Sequence, residues 1–279
     1  MSRPVRIEFP GAHYHITTRG LDDRTVFADN EDRIVFLNVM DTVVSRFGWL
    51  IHSYVLMDNH YHLIVEIPQG NLSKGMRQLN GVYTQHFNRR HGIDGSLFQG
   101  RFKSVLFEPE VYLLPLCRHV MLNPTRIGKS RSVQTHRWSS YRAFAGMVNP
   151  PVWLCTEKVM GHFGGISTAA RNRFKTYVKE GVGLESPLAM RSSQVLLGSP
   201  AFISEMQPVL NGEKLLRKGP RAAGRRRTLN GLFGNVGHKT RAERNDLIRK
   251  AHIDHNYTLM EIGEFLDLHY TTVSKIVNQ

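Results

Sequence analysis

The sequence is poor in cysteine, in acidic residues relative to basic ones, and in long apolar runs. Only Cys117 and Cys155 occur in 279 residues. They match no zinc-ligand spacing and build no disulfide framework, which excludes a cysteine-rich module. No run approaches 18 apolar residues, and the N-terminal Met1-Ser2-Arg3-Pro4 lacks an apolar signal region. These absences predict a soluble protein of a reducing cytoplasm.

The shortage of acidic residues leaves the chain strongly positive. Lys and Arg number 37 against 23 Asp and Glu, a formal net charge of +14. Such an excess favours an anionic partner, and nucleic acid is the leading class. The hydrophobic share of 41% permits ordinary packed cores. The length allows one large domain or two to three small ones.

The first half of the chain alternates between strand and helix patterns. Ile34, Leu37, Met40, Val44 and Phe47 approximate an apolar helical stripe that we expect to face the core. The β-α-β-β-α-β order predicts an α+β fold of ferredoxin-like arrangement, an antiparallel sheet with helices on one face. The predicted elements are strand 12–18, helix 30–47, strand 50–57, strand 60–66, helix 72–90, strand 102–107 and helix 110–122.

Composition shifts divide the chain into four predicted segments. Asn149-Pro150-Pro151 marks the first boundary. The tract Lys214–Arg227 holds seven basic residues and no acidic one. It is interpreted either as a solvated linker or as an arm that contacts phosphates through Arg225, Arg226 and Arg227. The predicted segments are a main domain 1–148, a small helical region 149–212, a basic linker 213–232 and a C-terminal domain 233–279.

The C-terminus has the pattern of a helix-turn-helix. Thr258 and Glu261 form a capping box, Ile262 and Leu266 face inward, and Leu268 fills the turn. A helix at 241–253 would complete a three-helix unit. A plain pair of antiparallel helices is the alternative. If the motif binds the major groove of duplex DNA, the contacting residues are Tyr270, Thr271, Thr272, Ser274 and Lys275.

His60-Tyr61-His62 is the most informative motif. Side chains alternate along a strand, so His60 and His62 share a face and can bind one divalent metal together. The alternative is a pair of strand histidines without metal. A second pair of this kind, His13-Tyr14-His15, shows that the spacing also arises by chance.

Together with Leu122-Asn123-Pro124, this motif resembles the single-tyrosine HUH transposases. The resemblance extends to the REP-associated tyrosine transposases, whose domain binds and cuts single-stranded DNA hairpins. The resemblance covers roughly residues 1–145. Its further motifs are Ala12-His13-Tyr14-His15-Ile16-Thr17-Thr18-Arg19-Gly20, Arg77-Gln78-Leu79-Asn80-Gly81-Val82-Tyr83 and Phe98-Gln99-Gly100-Arg101-Phe102-Lys103.

The resemblance implies a metal site and a DNA partner. His60, His62 and Asn123 would ligate Mg²⁺ or Mn²⁺, although imidazoles alone would equally accept zinc. The metal would assist transesterification of a DNA phosphate. Each candidate DNA contact has an alternative role as surface charge or core aromatic. The candidates are Arg19, Arg77, Arg89, Arg90, Arg101 and Lys103, with Tyr83 and Phe102 as stacking platforms.

One departure from the family pattern concerns the nucleophile. Its tyrosine position, one turn before Asn123, holds His119. Three interpretations stay open for His119: attack through a phosphoramidate, metal ligation, or a site that no longer cuts. Tyr112 lies seven residues earlier, about 10 Å along the helix, as a weak substitute with core packing as its alternative.

Two hypotheses of function follow. In the first, the chain nicks and joins single strands at palindromic repeats. In the second, it is a catalytically impaired descendant that acts as a DNA-binding regulator through the helix-turn-helix. His119 favours the second, while the retained His60, His62 and Asn123 favour the first. A third, RNA-binding hypothesis lacks the aromatic pattern of RNA-recognition sheets.

Overall fold

The computed structural model describes residues 7–130, 132–210, 228–234, 240–253, 255, 257, 259–268 and 270–277. The chain divides into two compact units, residues 1–217 and 218–279. Each unit has its own cluster of buried apolar side chains. Among the described residues, no helix combines the length and the apolar character that a membrane crossing requires.

A five-stranded mixed sheet forms the centre of the first unit. The strands are β1 Ala12–Arg19, β2 Leu50–Leu56, β3 His60–Ile67, β4 Lys103–Phe107 and β5 Leu196–Leu197. Their order in the sheet is β2-β3-β1-β4-β5. The first four strands in this order pair antiparallel, as in a ferredoxin-like domain, and β5 adds a short parallel pairing at the β4 edge. The α+β prediction is confirmed.

Seven α-helices belong to the described part of the first unit, and four to that of the second. In the first unit they are α1 Asn30–Phe47, α2 Leu72–His91, α3 Pro109–Arg126, α4 Tyr141–Phe144, α5 Glu157–Gly161, α6 Thr168–Glu180 and α7 Pro200–Leu210. In the second unit they are α8 Leu229–Phe233, α9 Arg241–Ile253, α10 Leu259–Leu266 and α11 Tyr270–Val277.

Helices α1 and α2 cover one face of the sheet. The ring of Tyr61, on β3, lies 4.6 Å from that of Phe36 on α1, and its hydroxyl donates to Asn80 on α2. The buried stripe of α1 runs through Phe36, Met40 and Val43. Ile34, expected in that stripe, is 50% exposed. The helical period was therefore right, and Leu37, Val44 and Phe47 pack half-buried against the core as predicted. The centre of the buried face, however, lies at Phe36, which leaves Ile34 outside it.

Helix α3 lies on the opposite face of the sheet, because its Asn123 contacts His60 and His62, whose side chains alternate with that of Tyr61. It continues to Arg126, beyond the predicted end at residue 122. Pro124 removes only its own N–H donor. The carbonyl of Asn123 still accepts from Ile127 N, at 3.2 Å, so the last turn forms.

A close contact between α2 and the chain before β2 requires a glycine. The ring of Trp49 is 1% exposed and donates from its indole nitrogen to Asn71 Oδ1 at 2.8 Å. A β-carbon at Gly75 would overlap that ring. The helix therefore reaches the core only because residue 75 has no side chain.

Residues 149–210 pack with the first unit instead of forming a separate one. Phe174 and Val178 on α6 are buried in its core, and β5 pairs with β4 in the main sheet. In the second unit, α9, α10 and α11 pack around a small core. Its buried members are Phe233, Ile248, Ala251, Tyr257, Ile262, Val273 and Ile276.

Candidate functional site

The strand register brings histidines from two strands together on the α3 face. Across β1 and β3, Thr17 lies opposite His62 and Arg19 lies opposite His60. Side chains at i and i+2 share a face, so His15 also projects towards α3. On the other side of β1, Thr17 lies opposite Lys103 of β4. A row of polar side chains therefore crosses the sheet beneath α3.

His62 is held at both ring nitrogens. Its Nδ1 lies 3.0 Å from His15 Nε2 and 3.0 Å from Thr17 Oγ1. Its Nε2 accepts from Asn123 Nδ2 at 3.3 Å. If the His62 proton is on Nδ1, it is donated to His15 Nε2 or Thr17 Oγ1 on β1. The lone pair of Nε2 then points at Asn123. This is the arrangement of a metal-binding histidine, in which the second nitrogen is fixed by an outer hydrogen bond.

His60 is oriented in the same way. Its Nδ1 lies 2.7 Å from Asn59 Oδ1, and its Nε2 lies 3.3 Å from Asn123 Oδ1. A neutral imidazole has one N–H, and the shorter contact assigns it to Nδ1. Nε2 then faces the Asn123 oxygen as a second acceptor. Two acceptors that face each other are the arrangement that a shared cation stabilises, so the three residues fit a divalent metal.

Burial keeps these imidazoles in the form that binds metal. It lowers the pKa of His62 well below the ordinary value, an effect to which His15, His60 and His119 add. Burial is also the main cause that lowers the pKa of His60 and that lowers the pKa of His15 to about 3. Neutral imidazole is the ligand form, so no deprotonation has to precede binding at neutral pH.

His119 lies in the same buried group. It is on α3, one turn before Asn123, and 8% exposed. Its ring meets that of His15 edge-on, at 6.3 Å between centroids. Burial, and then Arg126, lowers the pKa of His119 to about 4. Its Nδ1 has no hydrogen-bond partner among the described residues. Tyr112, the substitute candidate, is half-buried against the core.

An open cavity of about 690 Å³ lies next to the two histidines. Basic and acidic side chains line it together: Arg19 pairs with Asp23, and Lys129 Nζ lies 3.2 Å from Asp58. The lining residues are Thr17, Arg19, Asp23, Thr25, Asp58, Asn59, His60, His62, Ile127 and Lys129. The cavity connects His60 and His62 with solvent.

The predicted basic contacts lie in different places. Arg19 lines the cavity, and Lys103 is exposed beside Thr17. Arg101 is also exposed. Arg77 and Arg89 are exposed on α2, which covers the other face of the sheet. Of the five, the structure therefore brings Arg19 and Lys103 next to the histidine row and keeps the α2 pair away from it.

Three predicted DNA contacts need correction. Tyr83 is 1% exposed, donates to the carbonyl of Val26 and packs among core aromatics, so a base cannot stack on it. Phe102 is 9% exposed and belongs to the same core. Arg90 is committed to carboxylates around the N-terminus of α1, where its partners are Asp29, Glu31 and Asp32.

Most predicted contacts of the second unit lie outside the described residues. Thr272 on α11 is exposed. The side chains of Tyr270, Thr271, Ser274 and Lys275 lie outside the description, as do Thr258 and the tract that contains Arg225, Arg226 and Arg227.

Sequence reasoning missed the groups that orient His62. His15 had been set aside as part of a chance pair, and Thr17 carried no signal of its own. Both lie on β1 with the parity that faces β3. A histidine pair on each of two strands predicted to neighbour each other is the signal that could have found them.

Comparison with known proteins finds similarity within the first unit. Residues 9–113 match the family described as "Transposase IS200 like". Similar solved structures include a REP-associated tyrosine transposase bound to a REP hairpin, at 16% identity over 56% of this chain and 93% of that one, with a TM-score of 0.47. A candidate transposase from Deinococcus radiodurans R1 shares 14% identity over 38% of this chain and 83% of that one, with a TM-score of 0.29. A search of curated proteins found no match. Through residues 9–113, the chain is therefore similar to the IS200-like transposases.

Proposed function

We propose that the first unit binds hairpin or single-stranded DNA at a divalent-metal site and cuts it poorly or not at all. One observation carries the proposal. His60 Nε2 and His62 Nε2 converge on the amide of Asn123, and the residue one turn earlier is an imidazole, not a phenol. The side chains that would bind the metal are present, whereas the tyrosine that would attack phosphorus is replaced by histidine.

The metal ligands are His60, His62 and the side-chain oxygen of Asn123. A mixed nitrogen and oxygen set suits Mn²⁺ or Mg²⁺, which leave further positions for water and phosphate. When bound, the cation supplies positive charge that polarises a phosphate ester. The chain itself holds the two imidazoles neutral and fixed, through His15 and Thr17 on one side and Asn59 on the other.

The surroundings favour a flexible strand over a stiff duplex. His62 is 8% exposed and lies at the wall of the open cavity. A phosphate must enter the cavity to reach it, which a single strand or a hairpin end can do. Arg19, Lys103 and Lys129 supply positive charge along that approach. Asp23 and Asp58 hold two of these cations in ion pairs, which DNA phosphates would replace.

His119 argues against strand cleavage. The covalent intermediate of the family forms on a tyrosine oxygen, and an imidazole would give a phosphoramidate instead. His119 is buried against His15, and its Nδ1 has no partner among the described residues. Its lowered pKa keeps it uncharged, so it adds no positive charge for a phosphate. His119 therefore occupies the position of the family's nucleophilic tyrosine but does not act as a nucleophile.

The second unit is proposed to bind duplex DNA as a helix-turn-helix. Three helices, α9 to α11, share a core through Ile248, Ile262 and Val273. Leu268 lies half-buried between α10 and α11. Thr272 is exposed on α11, the helix proposed to enter the major groove. With cleavage lost, a chain that combines these two binding units would act as a DNA-binding regulator.

The division of labour can be tested in the full chain with one hairpin and one duplex probe. Lys103→Gln is expected to weaken hairpin binding and reduce the slope of log K against log salt by about 0.7, the value for one single-strand phosphate. Duplex binding should stay unchanged. Thr272→Ala should alter preference among duplex sequences and leave hairpin binding intact.

Arg89→Gln is the matched control, because Arg89 is an exposed basic residue on α2, which covers the other face of the sheet. It should change neither affinity. If Lys103→Gln and Arg89→Gln weaken hairpin binding equally, the DNA does not lie on the α3 face and the proposal is wrong.

A further inference from the structure

A second group of ligand-type side chains lies on the same face of the sheet, at the other end of β3. His13 Nε2 lies 3.1 Å from Glu66 Oε2, and His52 Nε2 lies 3.2 Å from the same oxygen. The three ligand atoms all lie within 4.8 Å of one another. Glu66 is four residues beyond His62, about 13 Å along the strand, so this cluster is separate from the site described above.

The tautomer of His13 leaves a lone pair inside the cluster. Its Nδ1 lies 3.0 Å from the carbonyl oxygen of Gly11 and must donate to it. In the neutral ring, Nε2 is then an acceptor. It faces the Glu66 carboxylate, which is also an acceptor, so a cation is needed between them. A histidine whose outer nitrogen donates to a backbone carbonyl has the orientation of a metal ligand.

Lys158 of α5 supplies that cation in this structure. Its Nζ lies 2.8 Å from Glu66 Oε2 and 3.1 Å from His13 Nε2. The His13 and His52 side chains are nearly inaccessible, whereas the Lys158 side chain is 43% exposed. The ammonium can therefore move into solvent on its long flexible side chain, and a partly exposed ion pair of this kind contributes little to stability.

The remaining groups suit a doubly charged ion. Glu66 Oε2 accepts from Lys158 Nζ and lies within 3.2 Å of both imidazole Nε2 atoms, so its carboxylate is the anionic ligand of the group. His52 is fully buried, and its Nδ1 has no hydrogen-bond partner among the described residues. Its Nε2, 3.2 Å from Glu66 Oε2, carries the proton in this structure. Transfer of that proton to the unpartnered Nδ1 would leave the Nε2 lone pair for a metal.

We infer that His13, His52 and Glu66 form a second metal site, which takes Zn²⁺ in exchange for the ammonium of Lys158. Two imidazoles and one carboxylate are a common zinc ligand set. Binding of Zn²⁺ would release Lys158 and with it the tie between α5 and the sheet. The site is thus a position where either an internal cation or an external one neutralises Glu66.

Calorimetric titration of the full chain with Zn²⁺ tests the inference in a His62→Ala background, which removes the first site. One equivalent of Zn²⁺ should still bind. Adding Lys158→Met should tighten binding by at least about tenfold, because a metal ion then meets no competing or repelling ammonium. Adding His13→Gln instead should abolish it. Lys179→Met, an exposed lysine on α6, is the control and should have no effect.

Lys158→Met alone, with the histidines intact, gives a second measurement that needs no buried substitution. The Zn²⁺-dependent rise in melting temperature should be larger in this variant than in the wild type, since a ligand that binds the native state more tightly stabilises it more at the same concentration. The inference is overturned if Lys158→Met leaves Zn²⁺ affinity unchanged, or if the Zn²⁺ bound in the His62→Ala background survives His13→Gln.

Discussion

Replacing His62 by Ala is expected to abolish Mn²⁺ binding at the first site. Loss of an outer-shell partner typically weakens a metal site about 10- to 100-fold, and loss of a ligand should exceed that. Asn123→Ala should weaken binding as well, because its amide lies 3.3 Å from both imidazole Nε2 atoms. Calorimetry with Mn²⁺ measures both effects, and hairpin affinity should fall with them.

The matched control is His13→Ala. His13 belongs to the other end of the sheet, where it contacts Glu66 and Lys158, and its loss should leave Mn²⁺ affinity at the first site unchanged. Equal losses of Mn²⁺ binding in His13→Ala, His62→Ala and Asn123→Ala would mean that the metal is held elsewhere.

His119→Tyr is expected to produce cleavage of a hairpin in the presence of Mn²⁺. The substitution puts a phenol at the family's nucleophile position, one turn before Asn123, while the metal ligands stay in place. Removing the nucleophile of a serine protease costs on the order of 10⁶-fold in rate, so even partial recovery should exceed the wild type by about 100-fold. The measurement is a denaturing gel that separates protein-linked DNA from free DNA.

His119→Phe is the control for this gain, because it has the same ring size without the hydroxyl and should stay inactive. If His119→Tyr binds Mn²⁺ and hairpin as the wild type does yet forms no adduct, the loss of cleavage has another cause than residue 119. An adduct on Tyr112 in the wild type would instead show that the half-buried tyrosine attacks.

Local patterns predicted the first domain well because its elements are strongly periodic. Helix α1 begins and ends as predicted, at residues 30 and 47, since Asp29 caps its N-terminus and Gly48 takes a left-handed conformation at its end. The buried face of α1 was not predictable. Apolar side chains occupy consecutive positions from Ile34 to Leu37, and only contact with Tyr61 on the sheet selects Phe36 as the buried one.

Local sequence patterns also predicted only part of the metal site. The ligand candidates His60, His62 and Asn123 were named from motifs, and the structure brings their polar atoms together. The support from His15 and Thr17 depends on strand register, which no local pattern states. Tyr83 shows the opposite error, because its sequence neighbours do not reveal that Phe27, Phe36 and Phe98 enclose it.

The most direct test of the central claim is one incubation of the wild-type chain with Mn²⁺ and an end-labelled hairpin, divided between a native and a denaturing gel. Binding without cutting predicts a shifted band in the native gel that a chelator abolishes, and intact, protein-free DNA in the denaturing gel. A nicked product, or label that stays attached to the protein after denaturation, would contradict the account.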